Sequence, residues 1–171
     1  ILTFMALWPA ATLGADQNEA LYVAASQGNL EGVRQLLDSG VPVDAKNTAG
    51  WTALMQAAQF GHLEIVKILL DRGAELNGQS VNGSTGLMFA ATNGHLETVR
   101  YLLDKAANAN LQDKLGRTAL ILATSENQEA IVKLLLEKGA DTKLANSSGR
   151  TAKDIAESEG FTSIATLLQG D

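Results

Sequence analysis

The sequence predicts an all-α fold, a solenoid of about five helix-turn-helix repeats, on three observations. Gly50, Gly83, Gly116 and Gly149 recur at an interval of 33 residues. Ala57, Ala90, Ala123 and Ala156 keep that interval, as do Leu36, Leu69, Leu102, Leu135 and Leu168. Between these markers the apolar residues fall at helical spacing rather than in alternation. A unit of this size cannot bury its own apolar face, so it must stack on its neighbours.

One unit is laid out in the stretch Trp51 to Gly73, WTALMQAAQFGHLEIVKILLDRG. Leu54, Ala57 and Ala58 make the stripe of a first helix. After Gly61, the residues Leu63, Val66, Leu69 and Leu70 make the stripe of a second. The small alanines let first helices approach closely, and the Leu-rich second helices supply most of the buried area.

These residues resemble the ankyrin repeat. The match runs through Gly50, Thr52, Leu54, Ala57, Ala58, Gly61 to Glu64, Ile65, Val66, Leu69, Leu70, Gly73 and Ala74, and copies of it cover everything after about Asp16. The resemblance implies an ankyrin-repeat solenoid with three full internal repeats between N- and C-terminal capping repeats. It also implies a concave face, formed by turn tips and the exposed side of the first helices, on which protein partners bind.

Residues 1–15 stand apart from the repeats. Ile1 to Trp8 is an apolar run, followed by Pro9 and small residues up to Ala15, and this order is that of a secretory signal-peptide end with cleavage near Ala15. A truncated membrane anchor and an apolar segment packed on the first repeat are the alternative readings.

Residues 16–171 are read as one repeat domain. The first repeat, 17–46, begins directly at its first helix, so Tyr22 and the polar residues around it are expected to cover the end of the stack. The internal repeats are 47–79, 80–112 and 113–145. In them Gly50, Gly83 and Gly116 are expected at tight turns, and Thr52, Thr85 and Thr118 as caps of the following helices.

Two departures from the family pattern carry expectations. Ala53, Gly86 and Ala119 replace its usual Pro, and Met55, Met88 and Ile121 its usual His, which removes a hydrogen bond between adjacent turns and predicts softer connections. Asn127-Gln128-Glu129-Ala130 replaces the Gly-His-Leu-Glu present twice before. Asn tolerates the left-handed conformation, but looser packing is expected there. The last repeat, 146–171, keeps Gly149, Thr151, Ala156, Gly160, Ile164, Leu167 and Leu168 in register and is polar enough to close the stack.

Composition narrows the function classes. A net charge of −6, with basic residues scattered along the chain, argues against a phosphate-binding surface and hence against nucleic acid. The absence of cysteine excludes disulfides, zinc-thiolate sites and thiol nucleophiles. His62 and His95 sit one repeat apart with no converging ligands, so they read as helix-entry residues and not as a metal site or catalytic base. Gly78 to Thr85 has a superficial likeness to a phosphate loop, but Ser84 stands where the lysine is needed. No cofactor, metal or small-molecule substrate is expected, and no residue set meets the requirements for acid-base or nucleophilic catalysis.

What remains is surface. By register, the partner-binding candidates are Lys46, Thr48, Ala49, Trp51, Gln59, Phe60, Gln79, Val81, Asn82, Ser84, Thr92, Asn93, Gln112, Lys114, Leu115, Arg117, Ser125 and Glu126. Trp51 and Phe60 share one repeat. They are either the aromatic anchors of an interface or a pair that packs on itself. Glu126 and Asp113 suggest a basic partner.

The expected function is a non-catalytic module, monomeric when free, that docks a folded protein. If residues 1–15 are a signal, the setting is bacterial and periplasmic, and the partner could be an enzyme held inactive or protected, such as a cell-wall hydrolase, a toxin or a catalase. The alternative is a scaffold anchored to a membrane by an uncleaved N terminus.

Overall fold

The computed structural model describes residues 15–169, and in them the repeat plan is realised as paired short helices. The first helices are α1 (Ala15–Ser26), α3 (Ala53–Gln59), α5 (Gly86–Thr92), α7 (Ala119–Ser125) and α9 (Ala152–Glu159). The second helices are α2 (Leu30–Asp38), α4 (Leu63–Asp71), α6 (Leu96–Asp104), α8 (Glu129–Glu137) and α10 (Thr162–Leu167). Among the described residues no helix is long and apolar enough to cross a membrane. The expected leader falls almost wholly outside the described residues.

Each first helix from α3 onward starts where a threonine ends an extended segment. The Oγ1 of Thr52, Thr85, Thr118 and Thr151 accepts from the backbone N–H three residues on, at 3.4, 3.3, 3.2 and 3.2 Å. One otherwise orphaned donor of each first turn is thereby satisfied. In α9 the arrangement is reciprocal, because the Asp154 carboxylate also accepts from the Thr151 backbone N–H.

The two helix layers pack differently, and this sets the shape of the slab. Ala57, Ala58, Ala90, Ala91 and Ala123 are fully buried between first helices, which therefore lie close together. The second helices hold longer side chains, including Leu69, Leu102 and Leu135, and lie farther apart. A slab whose two layers differ in spacing curves toward the tighter one.

The connecting turns are joined into a ladder of their own. Val81 N–H donates to Ala49 O at 3.0 Å, Lys114 N–H to Asn82 O at 2.9 Å, and Ser147 N–H to Leu115 O at 2.8 Å. Gly50 has φ +72°, and a Cβ there would lie 2.8 Å from the Val81 nitrogen, so the next turn can approach only a glycine. Gly149, in the last of the described turns, has nothing within 4 Å. Gln79 Nε2 donates to Gly83 O at 2.7 Å and to Gln112 O at 3.3 Å; Gln112 Nε2 repeats this with Gly116 O and Ala145 O at 2.7 and 3.0 Å. These amides link the third, fourth and fifth turns, whereas the second turn carries Lys46 at that register position.

Two expectations are corrected. Tyr22 does not cover the N-terminal end of the stack: its hydroxyl accepts from Gln56 Nε2, so the ring faces the second repeat. In α2, Gly32 and Gln35 stand where later units have Ile65 and Ile68, or Ile131 and Leu134, so this second helix carries fewer apolar side chains. Packing around Asn127 is also not looser. Asn127 takes φ +54°, Gln128 occupies the slot over Gly94, and Ile131, Val132, Leu134 and Leu135 are all buried.

Candidate protein-binding surface

The turn tips and the outward side of α1, α3, α5, α7 and α9 form one continuous face. Their geometry is set by a polar acceptor at the same register position in each turn. Asn47 Oδ1 accepts from Ala49 N–H and Trp51 N–H, each at 3.0 Å. Asp113 Oδ1 accepts from Leu115 N–H and Arg117 N–H, each at 2.9 Å, and Asn146 Oδ1 from Ser148 and Arg150 N–H, each at 3.0 Å. Ser80 Oγ does the same for Ser84 N–H at 3.2 Å. These side chains pin the turns, so the tip residues project at regular intervals.

On the tips, Lys46, Thr48, Ala49, Val81, Asn82, Lys114 and Leu115 are exposed, and they lie along one edge. Phe60, Asn93, Ser125 and Glu126 are exposed at the far ends of the first helices, with Gln59 and Thr92 half-buried beside them. Several candidates also serve the scaffold. Gln79 and Gln112 bridge neighbouring turns, Thr92 Oγ1 donates to Met88 O at 2.8 Å, Asn93 Nδ2 to Phe89 O at 2.8 Å, and Ser125 Oγ to Ile121 O at 3.0 Å.

Trp51 and Phe60 do not form a pair with each other. Trp51 reaches across the repeat boundary and lies against Phe89, with ring centroids 4.2 Å apart and planes tilted by 39°. Phe60 is half exposed and stands over His62 at 6.2 Å. Phe89 was not among the sequence candidates, because its register position holds buried Gln56 in one neighbour and buried Leu122 in the other.

Asp113 is no offer to a basic partner. Its side chain is 2% exposed, and its Oδ2 takes the Arg117 Nη2 at 2.7 Å and Nε at 2.8 Å. A carboxylate with that many donors is already saturated.

Among the described residues, three of the four exposed large apolar side chains belong to this face: Phe60 (50%) and the tip residues Val81 (56%) and Leu115 (54%). The fourth, Val23 on α1 (37%), holds the register position of buried Gln56 and Leu122. The outward positions of the second helices are polar instead, for example Glu31, Arg34, Glu64, Glu97, Arg100 and Lys133. The two histidines are structural links between repeats: His62 Nε2 lies 3.1 Å from Ser26 O, and His95 Nε2 lies 2.8 Å from Gln59 O.

A family model described as ankyrin repeats, three copies, matches residues 6–80 and again 76–146. The chain belongs to the ankyrin-repeat family. No curated protein matches it. Ankyrin stacks are protein–protein interaction modules, and the face just described is the part of this ankyrin stack that leaves apolar side chains uncovered.

Proposed function

We propose that this ankyrin stack is a non-catalytic binding module that holds a folded protein on its turn tips and first helices. The observation that carries the reading is the placement of three exposed large apolar residues: Phe60, Val81 and Leu115 lie on that face. A monomeric domain has no folding reason to leave such residues uncovered. The turns are pinned by their own hydrogen bonds, so little ordering is needed on association.

An exported setting, with an enzyme such as a cell-wall hydrolase, a toxin or a catalase inhibited or protected there, is the finer form of the proposal, and it rests on the apolar segment at residues 1–15. The membrane-anchored scaffold is its alternative. The mass of the mature chain separates the two.

The test of the binding reading compares the wild type with the triple variant Phe60→Ala, Val81→Ser, Leu115→Ser in cross-linked co-purification. A partner lost from the variant at unchanged melting temperature supports the face; a partner retained in full contradicts it. The captured protein is then assayed with saturating amounts of the ankyrin chain, and an unaltered activity removes the inhibitor form.

A further inference from the structure

Asparagine is followed by glycine at three places in the chain, Asn77-Gly78, Asn82-Gly83 and Asn93-Gly94. Such a pair can react with itself, because the glycine amide nitrogen can attack the asparagine carboxamide carbon and close a five-membered ring. Glycine has no side chain to obstruct the attack. Ring closure requires the peptide between the two residues to rotate until its nitrogen faces Cγ. The freedom the fold leaves to that peptide therefore decides which pair reacts.

At two of the pairs the peptide is held. The Gly83 N–H donates to Ser80 O at 2.9 Å, and the Asn82 carbonyl accepts from Lys114 N–H at 2.9 Å. Rotation there breaks both the turn and a rung of the ladder between turns. The Gly78 N–H donates to Glu75 O at 3.1 Å, and the Asn77 carboxamide is held too, its Oδ1 accepting from Asn108 N–H at 2.9 Å.

The peptide joining Asn93 to Gly94 is not held in this way. Among the described residues, neither the Gly94 N–H nor the Asn93 carbonyl has a hydrogen-bond partner. At the same register Gly61 N–H donates to Ala58 O at 3.3 Å and Asn127 N–H to Thr124 O at 3.0 Å. Asn93 has ψ 7° and Gly94 has φ +77°, and opposite changes in these two angles turn the peptide between them. The flanking bonds, Asn93 N–H to Phe89 O and His95 N–H to Ala90 O, stay in place. A glycine in the second position accepts either sign of φ, so the turn costs little. The exposed Asn93 carboxamide donates through Nδ2 to Phe89 O at 2.8 Å, and that nitrogen is the one that leaves.

We infer that Asn93-Gly94 is a site of spontaneous deamidation. The Gly94 nitrogen gives up its proton to solvent and bonds to Asn93 Cγ; the Cγ–Nδ2 bond breaks, ammonia leaves, and a succinimide joins the two residues. Water then opens the ring at one of its two carbonyls. The product has either aspartate in place of Asn93 or an isoaspartyl link, with the chain running through the former side-chain carbonyl. It loses the donor to Phe89 O and puts a negative charge at the C-terminal end of α5, where the helix dipole disfavours it. Phe60, Asn93, Glu126 and Glu159 stand at the corresponding ends of α3, α5, α7 and α9, so the modified row carries carboxylates at three successive positions. The site stands apart from the protein-binding reading; that the row belongs to the partner's face rests on it.

Residues Gly73 to Arg100 form one tryptic peptide that contains all three pairs, so tandem mass spectrometry of that peptide compares them directly. The folded full chain is incubated at mildly alkaline pH beside the same chain in urea. Each ordinary hydrogen bond that must break lowers the rotated population about fivefold. In the folded chain Asn93 is therefore expected to convert about tenfold or more faster than Asn77 and Asn82, whereas in urea the three are expected to convert at similar rates. Asn93→Gln, whose longer side chain closes a ring poorly, is expected to remove the early ammonia release and leave the two slower sites. Earlier conversion of Asn77 or Asn82 in the folded chain overturns the inference. So does a folded chain in which none of the three converts while all three do in urea, or an early release that persists in Asn93→Gln.

Discussion

Trp51, in the turn before α3, and Phe89, in the middle of α5, meet across a repeat boundary with their ring centroids 4.2 Å apart. An aromatic contact of this kind adds about 1 kcal/mol beyond the area it buries. Trp51→Ala is therefore expected to cost about 2 kcal/mol in denaturant unfolding. Phe60→Ala, at a half-exposed side chain, is expected to stay within about 0.5 kcal/mol. Equal losses from both would show that Phe60 is also part of the scaffold.

His95 ties the end of α3 to the start of α6 through its 2.8 Å contact with Gln59 O, and it sits directly over Gly61. Removing the ring in His95→Ala should destabilise by about 1 kcal/mol, since a part-buried carbonyl loses its partner. His95→Gln should recover most of that, because Gln128 already fills the equivalent slot over Gly94. If the glutamine variant melts no higher than the alanine variant, the slot requires an imidazole.

The left-handed turn at Gly61 has φ +70°, and a Cβ on it would lie 2.5 Å from His95 Nδ1. Gly61→Ala should cost about 1–2 kcal/mol in backbone strain, with the ring clash added. The double variant Gly61→Ala, His95→Ala should be less destabilised than the sum of its parts, which a double-mutant cycle measures. Strict additivity would place the clash elsewhere.

Asp113 holds its turn through two backbone N–H groups and Arg117. Asp113→Ala leaves those donors and the guanidinium unpaired, with an expected cost of about 2–4 kcal/mol. Asp113→Asn should cost much less, because Asn47 and Asn146 do the same work in their own turns. A thermal melt of both variants checks the order.

Acid should weaken the C-terminal repeat. Hydrogen bonds from the Thr151 side chain and then its backbone N–H hold the Asp154 carboxyl below its ordinary value, and Lys138 does the same for Asp104. A carboxylate whose pKa is lower in the folded state contributes stability above its unfolded pKa and loses it as pH falls through the folded one. Amide exchange in α9 should therefore speed up only below the ordinary carboxylate range. Asp154→Ala should flatten that response and expose α9 to faster exchange at neutral pH; an unchanged acid response would remove Asp154 as its source.

Much of the fold was legible because its information is periodic. The interval from Gly50 to Gly149 and the threonine caps each have one physical reason repeated in every unit, so each copy supported the others. What was missed lies between repeats. That Trp51 turns toward Phe89 and not Phe60, and Tyr22 toward Gln56, depends on packing of one copy against the next. The acceptor series Asn47, Ser80, Asp113, Asn146 was available as small polar residues at the repeat interval. It explains why Asp113, which looked like a surface acid, is consumed by its own turn.

The most direct measurement is amide hydrogen exchange on the chain free and saturated with its captured partner. Protection is expected in the turns around Thr48 to Trp51, Val81 to Ser84 and Lys114 to Arg117 and along α3, α5 and α7, with α4, α6 and α8 unchanged. Protection confined to those second helices, with the turns exchanging as in the free protein, would contradict the account.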